Sequence, residues 1–166
     1  MLGAVDSKKT GHQIQIKGRH PDSAQVLAAK VANIQNCLIT AFDIQFIREL
    51  KAIDSSIPVG WLVKPNQERG DEGGVDLTAN LLEEASSVAA YTSTEVEEII
   101  SAAKEAKVDT LLLCAPRIGS IGVVENVRRA GFGVGAWGVA TNLDLARKLI
   151  GFGIDRFTID NPEQMS

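Results

Sequence analysis

The sequence predicts an α/β fold of parallel (β/α) repeats, an incomplete TIM-barrel-like architecture of about six βα units. Three observations predict it. Short apolar runs alternate with stretches whose apolar residues recur at helical spacing, and such alternation belongs to parallel sheets. The tripeptides Gly131-Phe132-Gly133 and Gly151-Phe152-Gly153 each join a helix to the next strand, which marks two equivalent units. A complete (β/α)8 barrel takes about 250 residues, and this chain has 166.

Each element has its own signals. Met1 to Val5 can form a short strand, and Asp6 to Gly11 is a polar loop. Ile14-Gln15-Ile16-Lys17 is the first strand the pattern defines. Pro21 and Asp22 signal a helix over Ala24 to Ile34, with Val26, Leu27, Val31 and Ile34 on one face. Cys37 to Thr40 is a strand, and Asp43 caps a helix that packs through Ile44, Phe46, Ile47 and Leu50. Pro58 leads into a strand over Val59 to Val63. Lys64 to Gly74 is a polar, glycine-rich surface loop. Val75 to Lys107 is mostly helical. A capping box at Thr92–Glu95 or Thr94–Glu97 starts a helix whose apolar face is Val96, Ile99, Ile100 and Ala103. Thr110 to Cys114 is a buried strand, and Ile121 to Ala130 a helix closed by Gly131. Val134, Ala136 and Val139 lie on a run of small residues that suits a strand buried on both faces. Asn142 caps a helix with apolar positions Leu143, Leu145, Ala146, Leu149 and Ile150, and Gly151 ends it through a positive φ. Ile154, Phe157 and Ile159 form the last strand.

Composition bounds the function. An apolar content of 45% with 23% charged residues is that of an ordinary globule, read as a single domain over residues 1–166. The net charge of −4, with no lysine or arginine run, argues against nucleic acid as a partner. No stretch reaches the roughly 20 apolar residues of a membrane span, and the start has no secretory apolar region, so a cytoplasmic location is the default. Cys37 and Cys114 sit beside or within apolar runs and read as buried free thiols, against a disulfide or metal pair. Gly131-x-Gly133-x-x-Ala136 matches a loose dinucleotide fingerprint, but it precedes a strand, where that motif must follow one.

Some of these residues stand in a recognisable order. Trp137 and Val139 end one strand, and Gly153, Asp155, Asp160 and Pro162 mark the end of the next. This arrangement resembles the C-terminus of the glycerophosphodiester phosphodiesterase family. Ile14-Gln15-Ile16-Lys17 resembles that family's I-E-I-K strand, and Leu38 to Asp43 its following strand, which ends in S-F-D. The resemblance covers nearly the whole chain. It implies that the six strands are strands three to eight of the barrel, without the first two units.

The resemblance also implies a chemistry and removes part of it. Family members hydrolyse glycerophosphodiesters to an alcohol and glycerol 3-phosphate with a divalent metal such as Mg²⁺ or Ca²⁺. Strand one brings an H-R-G motif, strand two an E-x-D metal pair with a second histidine after it, and I-E-I-K a third carboxylate. Here the third carboxylate is replaced by Gln15, whose neutral amide is a poor ligand for a hard cation. The usual W-T-V-N is Trp137-Gly138-Val139-Ala140, the usual serine is Ala41, and the closing T-D is Ile159-Asp160. The packing pattern persists while the polar pattern is lost. No catalytic or metal-binding residue is assigned, and the expectation is a protein without hydrolytic activity alone. The candidates for binding a small phosphodiester or phosphate are Gln15, Lys17, Trp137, Lys64 and Arg117. Each has a plainer reading: Lys17, Lys64 and Arg117 as solvated strand-end charges, and Trp137 as core. His12 and His20 flank the first strand, and His20 is either turned to the pocket or an inert loop histidine. Alternatives to the inactive enzyme are a phosphate-binding or interaction module, or a fragment completed by another segment or chain. Open edges at Ile14–Lys17 and Phe157–Asp160 lead us to expect a homodimer.

Overall fold

The computed structural model describes residues 11–18, 20–32, 34, 36–64 and 89–158. Its six strands are β1 (His12–Ile16), β2 (Cys37–Ala41), β3 (Val59–Leu62), β4 (Thr110–Cys114), β5 (Gly133–Trp137) and β6 (Arg156–Phe157). They alternate with α1 (Ser23–Val31), α2 (Ile44–Ile53), α3 (Ser93–Glu105), α4 (Ile121–Arg129) and α5 (Leu143–Gly151). The strands lie in chain order in a single sheet, and every neighbouring pair is parallel. The sheet curls into a half-barrel, the incomplete TIM-barrel-like fold the alternation predicts. No helix among the described residues is long and apolar enough to cross a membrane.

Residues paired across parallel strands share a face, so the register sorts the sheet. Ile39, Val59, Leu111, Leu113, Val134 and Ala136 make one face, and none is more than 1% exposed. This face takes the helices, which cover it through Phe46, Ile47 and Leu50 of α2, Val96 and Ile99 of α3, Val124 and Val127 of α4, and Leu149 of α5. Gln15, Thr40, Gly60, Leu112, Gly135 and Trp137 belong to the other face. That face is concave: the rings of Phe42, after β2, and Trp137, on β5, meet across it with their centroids 5.1 Å apart, although β3 and β4 run between their strands.

Small residues let the concave face close up. A Cβ on Gly60 would lie 2.6 Å from Leu112 Cδ1, 3.1 Å from Thr40 Cγ2 and 3.4 Å from Leu38 Cδ2. Leu112 is 1% exposed and has little room to withdraw. Gly60→Ala is therefore expected to lower stability by about 1–3 kcal/mol, the usual cost of overpacking. Gly122→Ala, on α4 where the nearest atom is 3.6 Å away, is expected to raise it by roughly 0.4–1 kcal/mol. Urea melts of the two variants read both signs.

The caps mostly follow the sequence. Asp43 accepts hydrogen bonds from the Gln45 and Phe46 N–H groups, and Asn142 from the Leu145 N–H. The capping box forms at Thr92 and Glu95, not at Thr94 and Glu97. Asp22 precedes α1 but makes no side-chain cap; instead the Ser23 hydroxyl accepts from His20 N–H and donates to His20 C=O.

Three expectations need correcting. The buried face of α1 is Ala24, Ala28 and Val31, while Val26 is 51% and Ile34 41% exposed. Alanines at i and i+4 set this helix close against its neighbours, so the larger residues at the flanks stay outside. On α5, Ile150 is exposed and Ala146 and Leu149 carry the packing. Gly151 is the last residue of that helix, and the positive φ belongs to Gly153 (φ 76), one residue after the Phe152 cap. The expected strand at Met1–Val5, the loop Lys64–Gly74 beyond Lys64, the first part of the Val75–Lys107 helix, and Ile159, Asp160 and Pro162 lie outside the described residues.

Two aspartates just before strands are a device the sequence did not disclose. Asp109, ahead of β4, accepts from the Val59 N–H at 2.7 Å and from Lys51 Nζ at 2.8 Å. Asp155, ahead of β6, accepts from the Val134 N–H at 2.8 Å and pairs with Arg128 at 2.6 Å. In both cases a carboxylate bridges an N–H at the start of the preceding strand to a cation on a helix. Lys51 Nζ also donates to Ser55 C=O, and Arg128 to Gly153 C=O. The two clamps fix the amino ends of β3–β4 and β5–β6.

Candidate functional site at the carboxyl ends of the strands

Parallel α/β folds place ligands at the carboxyl ends of their strands. At that end Gln15 lies on exposed β1 beside Thr40, which is fully buried and donates through Oγ1 to Ile14 C=O at 3.4 Å. Lys17 follows β1 directly, is exposed, and shares the strand alternation that puts Gln15 on the concave side. Lys64 follows β3 two residues beyond Leu62, on the same alternation, and is half-buried.

Trp137 forms the far wall. It is 4% exposed, its indole N–H donates to Val63 C=O at 3.0 Å, and its ring stands at 88° to that of Phe42. Trp61 Nε1 donates to Phe42 C=O at 3.2 Å. These contacts tie the ends of β2, β3 and β5 together. With its polar atom taken by the backbone and its ring edge-on to Phe42, Trp137 meets the concavity as packed wall.

Arg117 is buried at the end of β4 and faces α3. Its guanidinium lies 4.2 Å from the centre of the Tyr91 ring, pairs with Glu95 Oε1 at 2.7 Å and donates through Nε to Ala89 C=O at 2.8 Å. The Tyr91 hydroxyl accepts from Cys114 N–H at 3.0 Å, and Tyr91 N–H donates to Arg117 C=O at 3.0 Å. This network fastens the start of α3 to the end of β4. Burial raises the Glu95 carboxyl, but the Arg117 hydrogen bond and the two Thr92 hydrogen bonds outweigh it and hold it below its ordinary value. Burial also pushes the Cys114 thiol up to about 11, so it is a neutral, unreactive thiol. Cys37 is likewise a buried free cysteine.

The structure thus places Gln15 on the edge strand and Lys17 directly after it, Lys64 beyond β3, and Trp137 and Arg117 in packed positions behind the mouth. His20 is exposed, and its Nδ1 accepts from Asp22 N–H at 3.4 Å. Nothing in the sequence signalled the Arg117–Glu95–Tyr91 network, because its members are separated by a strand and a helix.

Among the described residues the donor set does not fit a divalent metal. Among the described residues, no group of three or more His, Cys, Asp or Glu side chains comes together. Asp43 lies at this end, but its carboxylate caps α2. A hard cation needs several oxygens, mostly carboxylates, and Gln15 offers one neutral oxygen.

No protein-family model matches the chain, and no match to a curated protein was found. Solved structures do match. A provisionally assigned glycerophosphoryl diester phosphodiesterase of Agrobacterium tumefaciens aligns at 16% identity and a TM-score of 0.68, over 94% of this chain and 56% of that one. An Oleispira antarctica phosphodiesterase, solved with its product sn-glycerol-3-phosphate, aligns at 18% identity and 0.61, over 94% and 53%. A glycerophosphodiester phosphodiesterase of Parabacteroides distasonis aligns at 16% and 0.61, over 92% and 54%. The chain therefore spans just over half the length of each of these three structures, and over that half its fold is that of glycerophosphodiester phosphodiesterases.

Proposed function

We infer that this protein is a glycerophosphodiester phosphodiesterase-like half-barrel that recognises a phosphate group at the carboxyl ends of its strands and does not hydrolyse phosphodiesters on its own. The observation that carries the reading is the order of Gln15, on β1, and Lys17, directly after that strand and on the same alternation. Where a metal-dependent phosphodiesterase needs a carboxylate facing the substrate, this strand offers an amide, and it keeps the ammonium next to it. An ammonium attracts an anion directly, as a point charge, and a neutral amide neither repels the anion nor holds a cation. The Oleispira antarctica structure, with glycerol 3-phosphate bound, supports a glycerol phosphate as the ligand class.

Isothermal titration with sn-glycerol 3-phosphate tests this. Binding is expected with EDTA present and without Mg²⁺ or Ca²⁺. Lys17→Ala is expected to weaken it by about tenfold to a hundredfold, since a hydrogen bond to a charged group is worth roughly 1.5–3 kcal/mol. Lys30→Ala, on α1, serves as the control. Binding that appears only with a divalent cation, or is indifferent to Lys17, contradicts the reading.

A further inference from the structure

One residue at the carboxyl ends of the strands is held from both sides. Val63 directly follows β3 and is fully buried. Its N–H donates to Leu112 C=O at 2.9 Å, and its C=O accepts from the Trp137 indole N–H at 3.0 Å. The indole reaches this point from β5, past β4, which lies between β5 and β3. A carbonyl and the N–H of the next residue share one rigid plane. The bond to Val63 C=O therefore also fixes the peptide from which Lys64 starts. Lys64 is half-buried and shares the alternation of Gly60 and Leu62, on the concave side. Lys17 stands in the same way directly after β1. Neighbouring strands lie about 4.8 Å apart, so the ends of β1 and β3, with β2 between them, are separated by roughly 10 Å.

We propose that Lys64 is a second phosphate contact opposite Lys17, and that Trp137 is its positioning residue, acting through the Val63–Lys64 peptide. This depends on phosphate recognition at the carboxyl ends, the function proposed above, and adds a second cation to it. A phosphate monoester carries about two negative charges at neutral pH, which two ammonium groups match and one does not. Lysine is a flexible stem, and ordering it on a ligand costs affinity. A backbone fixed in advance lowers that cost. The indole acts through the chain, because its N–H is taken by Val63 and its ring packs edge-on against Phe42. Trp61 makes the comparable bond to Phe42 C=O, and the residue that follows Phe42 is Asp43, not a lysine.

The test is an NMR titration of the intact, ¹⁵N-labelled chain with sn-glycerol 3-phosphate and no divalent cation. Lys64→Ala is expected to weaken binding by about tenfold to a hundredfold. Trp137→Phe, checked as folded by circular dichroism, is expected to weaken it about three- to tenfold, the worth of holding one long side chain. Trp61→Phe is expected to leave it within about twofold. The deciding result is the coupling. Added to Lys64→Ala, Trp137→Phe is expected to change affinity by no more than about twofold, whereas added to Lys17→Ala it weakens binding in full. A merely structural tryptophan would add its full loss on both backgrounds, and that result would overturn the proposal. A second readout needs no change at Trp137: its indole N–H resonance is expected to shift on titration of the wild-type chain and to stay in place in Lys64→Ala at saturation. An equal shift in the two would overturn the proposal as well. Binding that depends on Lys17 but is indifferent to Lys64→Ala would overturn this inference alone; no binding by the wild-type chain would overturn phosphate recognition with it.

Discussion

Trp137→Ala is expected to cost about 3–5 kcal/mol, the range for truncating a buried aromatic, and to lower the melting temperature by roughly 10 °C. Three losses combine. The cavity left by the indole opens beneath Phe42, whose ring packs edge-on against it. Val63 C=O loses the indole N–H that now donates to it. The bridge from β5 to the ends of β2 and β3, which holds the curl of the sheet, disappears. Trp137→Phe refills most of the volume and loses the N–H, so it is expected to cost about 1–2 kcal/mol. Circular-dichroism melts measure both. If Trp137 were instead a platform for ligand, Trp137→Ala would weaken glycerol 3-phosphate binding and leave the melting temperature in place.

Asp109→Ala is expected to destabilise the fold by about 3 kcal/mol, the lower end of the range for breaking a buried ion pair. The Lys51 side chain is 6% exposed while Asp109 is 48% exposed, so the cost comes chiefly from stranding the lysine. The Val59 N–H at the start of β3 loses its acceptor too. Because the penalty is an unmatched buried charge, removing the charge recovers part of it. Asp109→Ala combined with Lys51→Met is expected to be more stable than Asp109→Ala alone, and a double-mutant cycle by urea denaturation measures the coupling. Asp155→Ala has the same geometry, but Arg128 is 41% exposed, so a smaller loss is expected. Equal losses at the two sites would mean that the strand N–H bonds, and not the ion pairs, carry the clamp.

The alternation of strands and helices was legible because each element announces itself locally. β4 reads as Thr-Leu-Leu-Leu-Cys, and it is buried at every position. Asp43, Asn142 and the Thr92–Glu95 box mark helix starts through bonds spanning only two or three residues. Where size and spacing compete, local reading failed. On α1 the larger Val26 and Ile34 suggested the wrong face, because how closely a helix sits against its neighbours is decided by residues distant in sequence. The same distance hid Arg117. A strand-end cation reads as a ligand contact, and only the fold brings Glu95 and Tyr91 to it. The clamps at Asp109 and Asp155 have a weak sequence signal, an aspartate after an apolar residue just before a strand. Their partners, Lys51 and Arg128, sit on helices that no pattern connects to them.

Whether this half-barrel recognises phosphate without hydrolysing phosphodiesters is decided by incubating the purified chain with glycerophosphocholine. Release of glycerol 3-phosphate is measured with Mg²⁺, with Ca²⁺ and with EDTA. The expected result is release no faster than in buffer under all three conditions, while added glycerol 3-phosphate still binds. Metal-dependent turnover by the chain alone would contradict recognition without hydrolysis and show that the described residues, with Gln15 in the carboxylate position, do not define the site.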